Sequence, residues 1–140
     1  MSDVSDDKLA AYRNTDYRVG REPCRFVLRI GIPSPHLQTL YASAGHASAA
    51  FITAFNPHGE QQGDALNEAT HARLGEHLRQ SAVIVIEGEG VSTEGDWPPE
   101  KSFLVIGLSR EAATEIGRAA RQDAIVWAGE DARPELVVLR

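Results

Sequence analysis

A chain of 140 residues, 42% hydrophobic and 24% charged, can bury about two-thirds of its unfolded surface, which excludes a disordered chain or one that needs covalent staples. A formal net charge of −6 and an isoelectric point near 5.3 argue against general phosphate-backbone binding, so a nucleic-acid partner is not expected. One cysteine, Cys24, excludes an internal disulfide framework; the acidic MSDVSDDKLAAYR start has no signal-peptide core, and no apolar run nears the ~20 residues that span a bilayer, so the expected location is the cytoplasm.

The first expected element is a short helix over 6–14, capped by Asp6 or Asp7. Arginines 13, 18, 21, 25 and 29 then gather, mostly in coil or strand positions, and read as a solvated edge. CRFVLRI, 24–30, is the first strand: Phe26, Leu28 and Ile30 alternate with Val27 and Arg29, and Cys24 reads as a small packed hydrophobe. PSPHLQTLYASAG is a helix with Ser34 at the N-cap, Pro35 in its first turn and Gly45 at its left-handed end. Leu37, Leu40, Tyr41 and Ala44 form its apolar face.

The second strand, Ser48 to Phe55, runs into an Asn56-Pro57 turn. A helix over about Asp64 to Gln80 carries Asn67, His71, Leu74 and Leu78 on one stripe, so the amide of Asn67 faces inward and must be satisfied. VIVI, 83–86, is a buried third strand, and EGEGVSTEGDWPPEK reads as a long acidic loop. SFLVIGL is apolar on both faces and therefore central. Ser109 caps a helix whose Ala112, Ala113, Ile116, Ala119 and Ala120 form a small-residue face. AIVWA and ELVVL close the chain around the hairpin loop GEDARP.

The order α-β-α-β-α-β-β-α-β-β implies one domain over 1–140, with 1–15 peripheral. Its fold class is α/β, bordering on α+β: a single mixed sheet of about six strands with packed helices. Strands joined through helices should run parallel, and the third and fourth antiparallel. That polarity brings Thr53, Asn56, Asn67, Glu87, Trp97, Glu100, Ser102, Gln122 and Asp123 to one rim, where ligands of open α/β sheets usually sit. Each has a purely structural alternative. Asn56 suits a turn, Thr53 a strand, Asn67 a loop brace, Trp97 a lid over the core, and Gln122 and Asp123 a helix end.

No GxSxG elbow, Walker loop or HExxH occurs, and GEGVSTEG lacks GxGxxG. Histidines 36, 46, 58, 71 and 77 form no zinc signature, and no metal site is expected. Glu87, Glu89, Glu94 and Asp96 depart from the EF-hand pattern and read as a solvated loop, leaving open whether 87–96 attracts a cation. No cofactor is identified. Any chemistry would be general acid–base work by Glu100, with His58 as a possible partner.

TAFNP at 53–57, Asn67, WPPEKSFLV at 97–105 and RQDAIVW at 121–127, in that order and spacing, resemble the bacterial family catalogued as domain of unknown function 3293. The resemblance runs over nearly the whole chain from Tyr12. Family members tend to carry T-A-x-N-P, an Asn at the next helix start, a Trp and Glu before an apolar strand, and Gln-Asn-Ala near the last helix. Phe55 stands here where Trp is usual, and Asp123 where Asn is usual. The resemblance implies no activity; it implies that Thr53, Asn56, Asn67, Glu100 and Gln122 occupy the family's polar positions.

The leading expectation is a cytoplasmic domain that binds a polar small molecule or peptide through Thr53, Asn56, Asn67, Trp97, Glu100, Ser102 and Gln122. An enzyme using Glu100 as acid or base is one alternative. A structural or regulatory interaction module, with the strand ELVVLR as its partner surface, is another. Homo-oligomerisation stays open.

Overall fold

The computed structural model describes residues 4–81, 84–94 and 97–140. Helix α1, Asp6–Arg13, begins at Ser5, whose hydroxyl accepts from the Lys8 N–H, one residue earlier than the sequence suggested. Strand β1, Thr15–Val19, follows directly; its Thr15, Tyr17 and Val19 alternate with Asp16 and Arg18. It is a strand the element order above lacks. A hairpin leads to β2, Phe26–Leu28. Cys24 lies in that hairpin's connection and is exposed, not packed.

Helix α2, Pro35–Ala44, has the expected ends: Ser34 caps the Leu37 N–H, and Gly45 adopts φ 72°. Strand β3 is Ala49–Thr53 and helix α3 is Asp64–Ser81, with Asn67, His71, Leu74, Gly75 and Leu78 buried. Strand β4, Ile84–Ser92, continues through EGEGVS, which is therefore not loop. Strand β5, Glu100–Ile106, helix α4, Arg110–Ala119, and strands β6, Ala124–Ala128, and β7, Glu135–Val138, complete the chain.

The α/β class and single sheet hold, with seven strands in the order β2-β1-β4-β5-β3-β6-β7. Every neighbouring pair is antiparallel, so the sheet is not mixed. The expected directions nonetheless survive. β2, β3 and β4 all run the same way, but β1 lies between β2 and β4, and β5 between β4 and β3. The crossovers through α3 and α4 each leave a gap one strand wide, which an oppositely directed strand fills as in a split β-α-β unit, whereas the crossover through α2 spans β1, β4 and β5.

The sheet separates two cores. On one face Leu37 and Tyr41 of α2 pack with Tyr17, Phe51, Leu104, Ile106 and Val126. On the other, Leu74 and Leu78 of α3 and Ala113 of α4 pack with Ile52, Phe103, Val105 and Ile125. α4 comes close through Gly117, where a methyl would lie 2.6 Å from Ile125 and 2.7 Å from Leu139. The arginines of β1 and its surroundings pair with acids: Arg18 with Glu89 at 3.5 Å and Arg29 with Asp16 at 2.8 Å. Among the described residues no helix is long and apolar enough to cross a membrane.

Candidate functional site

Strand alternation decides which side chains share a face. Thr53 follows Phe51 by two positions, Ser102 and Glu100 precede Leu104 by two and four, and Tyr17 pairs with Gly90, which pairs with Glu100. These residues lie on the α2 face, beyond the area α2 covers. There α1 crosses the sheet, and a cavity of about 440 Å³ opens between them. Its lining includes Tyr12 from α1, Tyr17 and Phe51 from the sheet, Trp97, and Asn56, Glu100 and Gln122.

EGEG explains the space. Glu87 and Glu89 alternate with Gly88 and Gly90, which fall on the pocket's face, and Gly90, which lines the cavity, leaves the space of a side chain there. A methyl on Gly90 would meet only Thr15, at 3.7 Å. Gly88 instead permits contact: a methyl there would lie 2.2 Å from the Arg18 carbonyl oxygen and 3.2 Å from the Phe51 ring.

Glu100 stands at the polar end. Its Oε2 accepts from Asn56 Nδ2 at 2.7 Å and from Trp97 Nε1 at 3.2 Å. No described residue donates to its Oε1 or pairs with it as an ion. Burial raises the carboxyl's pKa above its ordinary 4.5, and the Asn56 and Trp97 hydrogen bonds oppose the rise without cancelling it. Burial likewise pushes the Tyr12 phenol up, helped by the nearby negative charges of Asp123 and Glu100.

Asn56 is held in turn by Asn67. Asn67 Oδ1 accepts from the Asn56 N–H at 3.0 Å, and Asn67 Nδ2 donates to Asn56 Oδ1 at 3.0 Å. Gln62 joins through its N–H to Asn56 Oδ1 and its Nε2 to Asn67 Oδ1. With both ends of Asn67 engaged and the Asn56 oxygen taken, the Asn56 NH₂ can only turn toward Glu100. Asn56, His58 and Arg121, none of them glycine, have φ of 46°, 57° and 58° and lie close together, the His58 N–H donating to the Arg121 carbonyl at 2.8 Å. Such backbone strain concentrates where surrounding contacts over-determine a site.

The structure brings Thr53, Asn56, Trp97, Glu100, Ser102 and Gln122 to the pocket wall. Three of them carry structural hydrogen bonds. Thr53 Oγ1 donates to the Lys101 carbonyl and accepts from the Phe55 N–H, closing the strand end. Ser102 donates to the Glu100 carbonyl, and Gln122 Nε2 to the carbonyls of Phe55 and Ala120. Asn67 stands behind Asn56 and is absent from the lining. Glu87 belongs to the other face, with its Oε1 3.4 Å from His71 Nε2. Among the described residues, no three His, Cys, Asp or Glu side chains are grouped to hold a metal ion.

Asp123 and His58 form a separate cluster. Asp123, 1% exposed, meets Arg140 at 2.8 Å and Lys8 at 3.0 Å, with His58 Nδ1 at 3.6 Å. His58 thus faces Asp123 and is not a partner of Glu100. Burial alone would raise the Asp123 pKa, but hydrogen bonds and charge from Arg140 and Lys8 outweigh it and leave the value below 3.8. A lowered carboxyl stabilises the fold above its unfolded pKa and loses that contribution as pH falls through the folded value. Asp123→Asn is therefore expected to lower Tm at neutral pH, with the difference from the parent shrinking below about pH 4. Melting curves from pH 7 to pH 2 check this; a difference that stays constant would reject it.

Tyr12, Tyr17, Phe51, Gly88 and Gly90 were not among the residues picked from sequence. The signals were there: a T-Y-V alternation straight after the first helix, and glycines at every second position of EGEG.

A family model described as Protein of unknown function (DUF3293) matches residues 52–125, just over half the chain. The match spans the wall from Thr53 to Gln122 and stops short of Tyr12 and Tyr17. No curated protein and no solved structure matches the chain.

Proposed function

The chain belongs to the DUF3293 family, and we propose that it binds a small organic molecule in the pocket between α1 and the sheet, with Glu100 as the polar anchor. One observation carries this reading: a half-buried carboxyl whose Oε2 is fixed by Asn56 and Trp97 while its Oε1 has no partner among the described residues. A group placed so carefully and left half-used is suited to a ligand's donor. The size falls in the range of small-molecule sites, and an apolar floor with few convergent polar groups is their usual make-up.

Two variants test it. Gly90→Leu should fill the cavity, because Gly90 lines it and a Cβ there would make only an ordinary contact with Thr15 at 3.7 Å. Glu100→Gln should keep both accepted hydrogen bonds on its single oxygen and remove the charge. Because the folded Glu100 pKa is raised, the ionised carboxylate costs stability once pH rises through that value. Glu100→Gln is thus expected to hold or raise stability at neutral pH, by up to about 1 kcal/mol, read as an unchanged or higher Tm. A thermal-shift screen with metabolites and nucleotides should give hits with the parent that both variants lose. Hits retained by Gly90→Leu would place binding elsewhere, and a large Tm loss in Glu100→Gln would make Glu100 part of the scaffold.

The raised proton affinity of Glu100 favours a second reading, in which the same carboxyl gives or takes a proton on the bound molecule. Incubating a screened ligand with the protein and following its mass separates the two: turnover that Glu100→Gln abolishes indicates an enzyme, an unchanged ligand a binding domain.

A further inference from the structure

We infer that the pocket's ligand is an organic cation, an ammonium group on an aromatic or aliphatic body. This rests on the binding reading above and names its ligand class. Four aromatic residues from separate segments, Tyr12, Tyr17, Phe51 and Trp97, line the cavity. Two carboxylates, Glu94 and Glu100, line it as well, and no described residue forms an ion pair with either. Lys8 is the lining cation, and its ammonium is taken up 3.0 Å from Asp123 Oδ2 and 3.2 Å from the His58 carbonyl. The wall thus has an excess of negative charge facing aromatic surfaces.

Both features select the same partner. A carboxylate among rings has lost part of its hydration and lacks a counter-charge, and a ligand ammonium supplies one. Aromatic residues attract cations through the ring quadrupole and cover an apolar body. An anionic ligand would meet two like charges. A neutral ligand would satisfy a lone pair of Glu100 and leave its charge uncompensated. The geometry orients the choice further: with Oε2 occupied by Asn56 and Trp97, Oε1 is the acceptor left for the ammonium.

Calorimetric titration of the full chain with three matched probes tests the charge directly. Tyramine carries an ammonium, tyrosol a hydroxyl in its place, and 4-hydroxyphenylacetate a carboxylate, on closely similar skeletons. Tyramine should bind roughly tenfold or more tighter than tyrosol, and the acid most weakly. In Glu100→Gln, shown folded by its melting curve, the tyramine-to-tyrosol ratio should fall toward one. Equal binding of tyramine and tyrosol, or tighter binding of the acid, overturns the cation inference while leaving the pocket reading intact, provided Gly90→Leu abolishes that binding. Absence of binding by all three at millimolar concentration overturns it too, and the pocket reading then stands or falls on the wider screen with Gly90→Leu.

Discussion

Gly88→Ala is expected to cost more than about 3 kcal/mol, at the severe end of single substitutions. The reason is the identity of what the methyl meets. Its nearest neighbour would be the Arg18 backbone oxygen at 2.2 Å, which cannot turn aside as a side-chain tip can. β1 would have to move off β4 along a register that runs from Thr15–Ser92 to Val19–Gly88. Tyr17 and Val19, 6% and 0% exposed, would move with it and open the core on the α2 face. Gly90→Ala, two positions on, meets only Thr15 at 3.7 Å and should change stability by less than about 1 kcal/mol. Denaturant melts of the two variants side by side check the claim. Similar unfolding free energies would show that β1 can yield, and that the close approach at Gly88 does not hold the sheet.

The same glycines mark how far the sequence was legible. Elements with a strong local signature could be read well: α2 from Ser34, Pro35 and Gly45, the inward stripe of α3 through Asn67 and His71, and β5 as the central strand. Strand direction could be read too, because it follows from which connections contain helices. What could not be read depended on long-range pairing. EGEG has low β-propensity and acidic side chains, and it is strand because β1 and β5 hydrogen-bond to it on either side. β1 is five residues long and has a charge at every second position, which resembles coil until its partner is known. Its omission hid Tyr17, one of the four aromatic residues of the pocket. The polar half could be inferred because Asn56, Glu100 and Gln122 sit at element ends, where direction alone fixes their place. Cys24 was misplaced for the opposite reason: β2 begins two residues later than its alternation suggested, so the thiol falls in the connection.

Asn67→Ala should lower stability by roughly 2–4 kcal/mol, the sum of a few buried polar groups left unpaired at about 1–3 kcal/mol each, less what relaxation restores. Asn67 is 4% exposed and Asn56 6%. Truncation removes the acceptor for the Asn56 N–H and for Gln62 Nε2, and the donor to Asn56 Oδ1. The consequence extends to a residue that Asn67 does not touch. Without the bracket only the Gln62 N–H still holds the Asn56 oxygen, so the Asn56 amide is less firmly aimed, and the shorter of the two charge-stabilising hydrogen bonds to Glu100 is weakened. That bond opposes the effect of burial on the carboxyl, so the Glu100 pKa should climb further in Asn67→Ala. Carbon-detected NMR titration of the Glu100 carboxyl reads this independently of Tm. A stability loss with an unmoved titration would make Asn67 a loop brace alone, whereas a shifted titration ties its amide to the proton affinity of Glu100. In the latter case the Asn56–Asn67 bracket acts as the positioning element of the pocket: one amide holds the backbone, and the other is thereby aimed at the carboxyl.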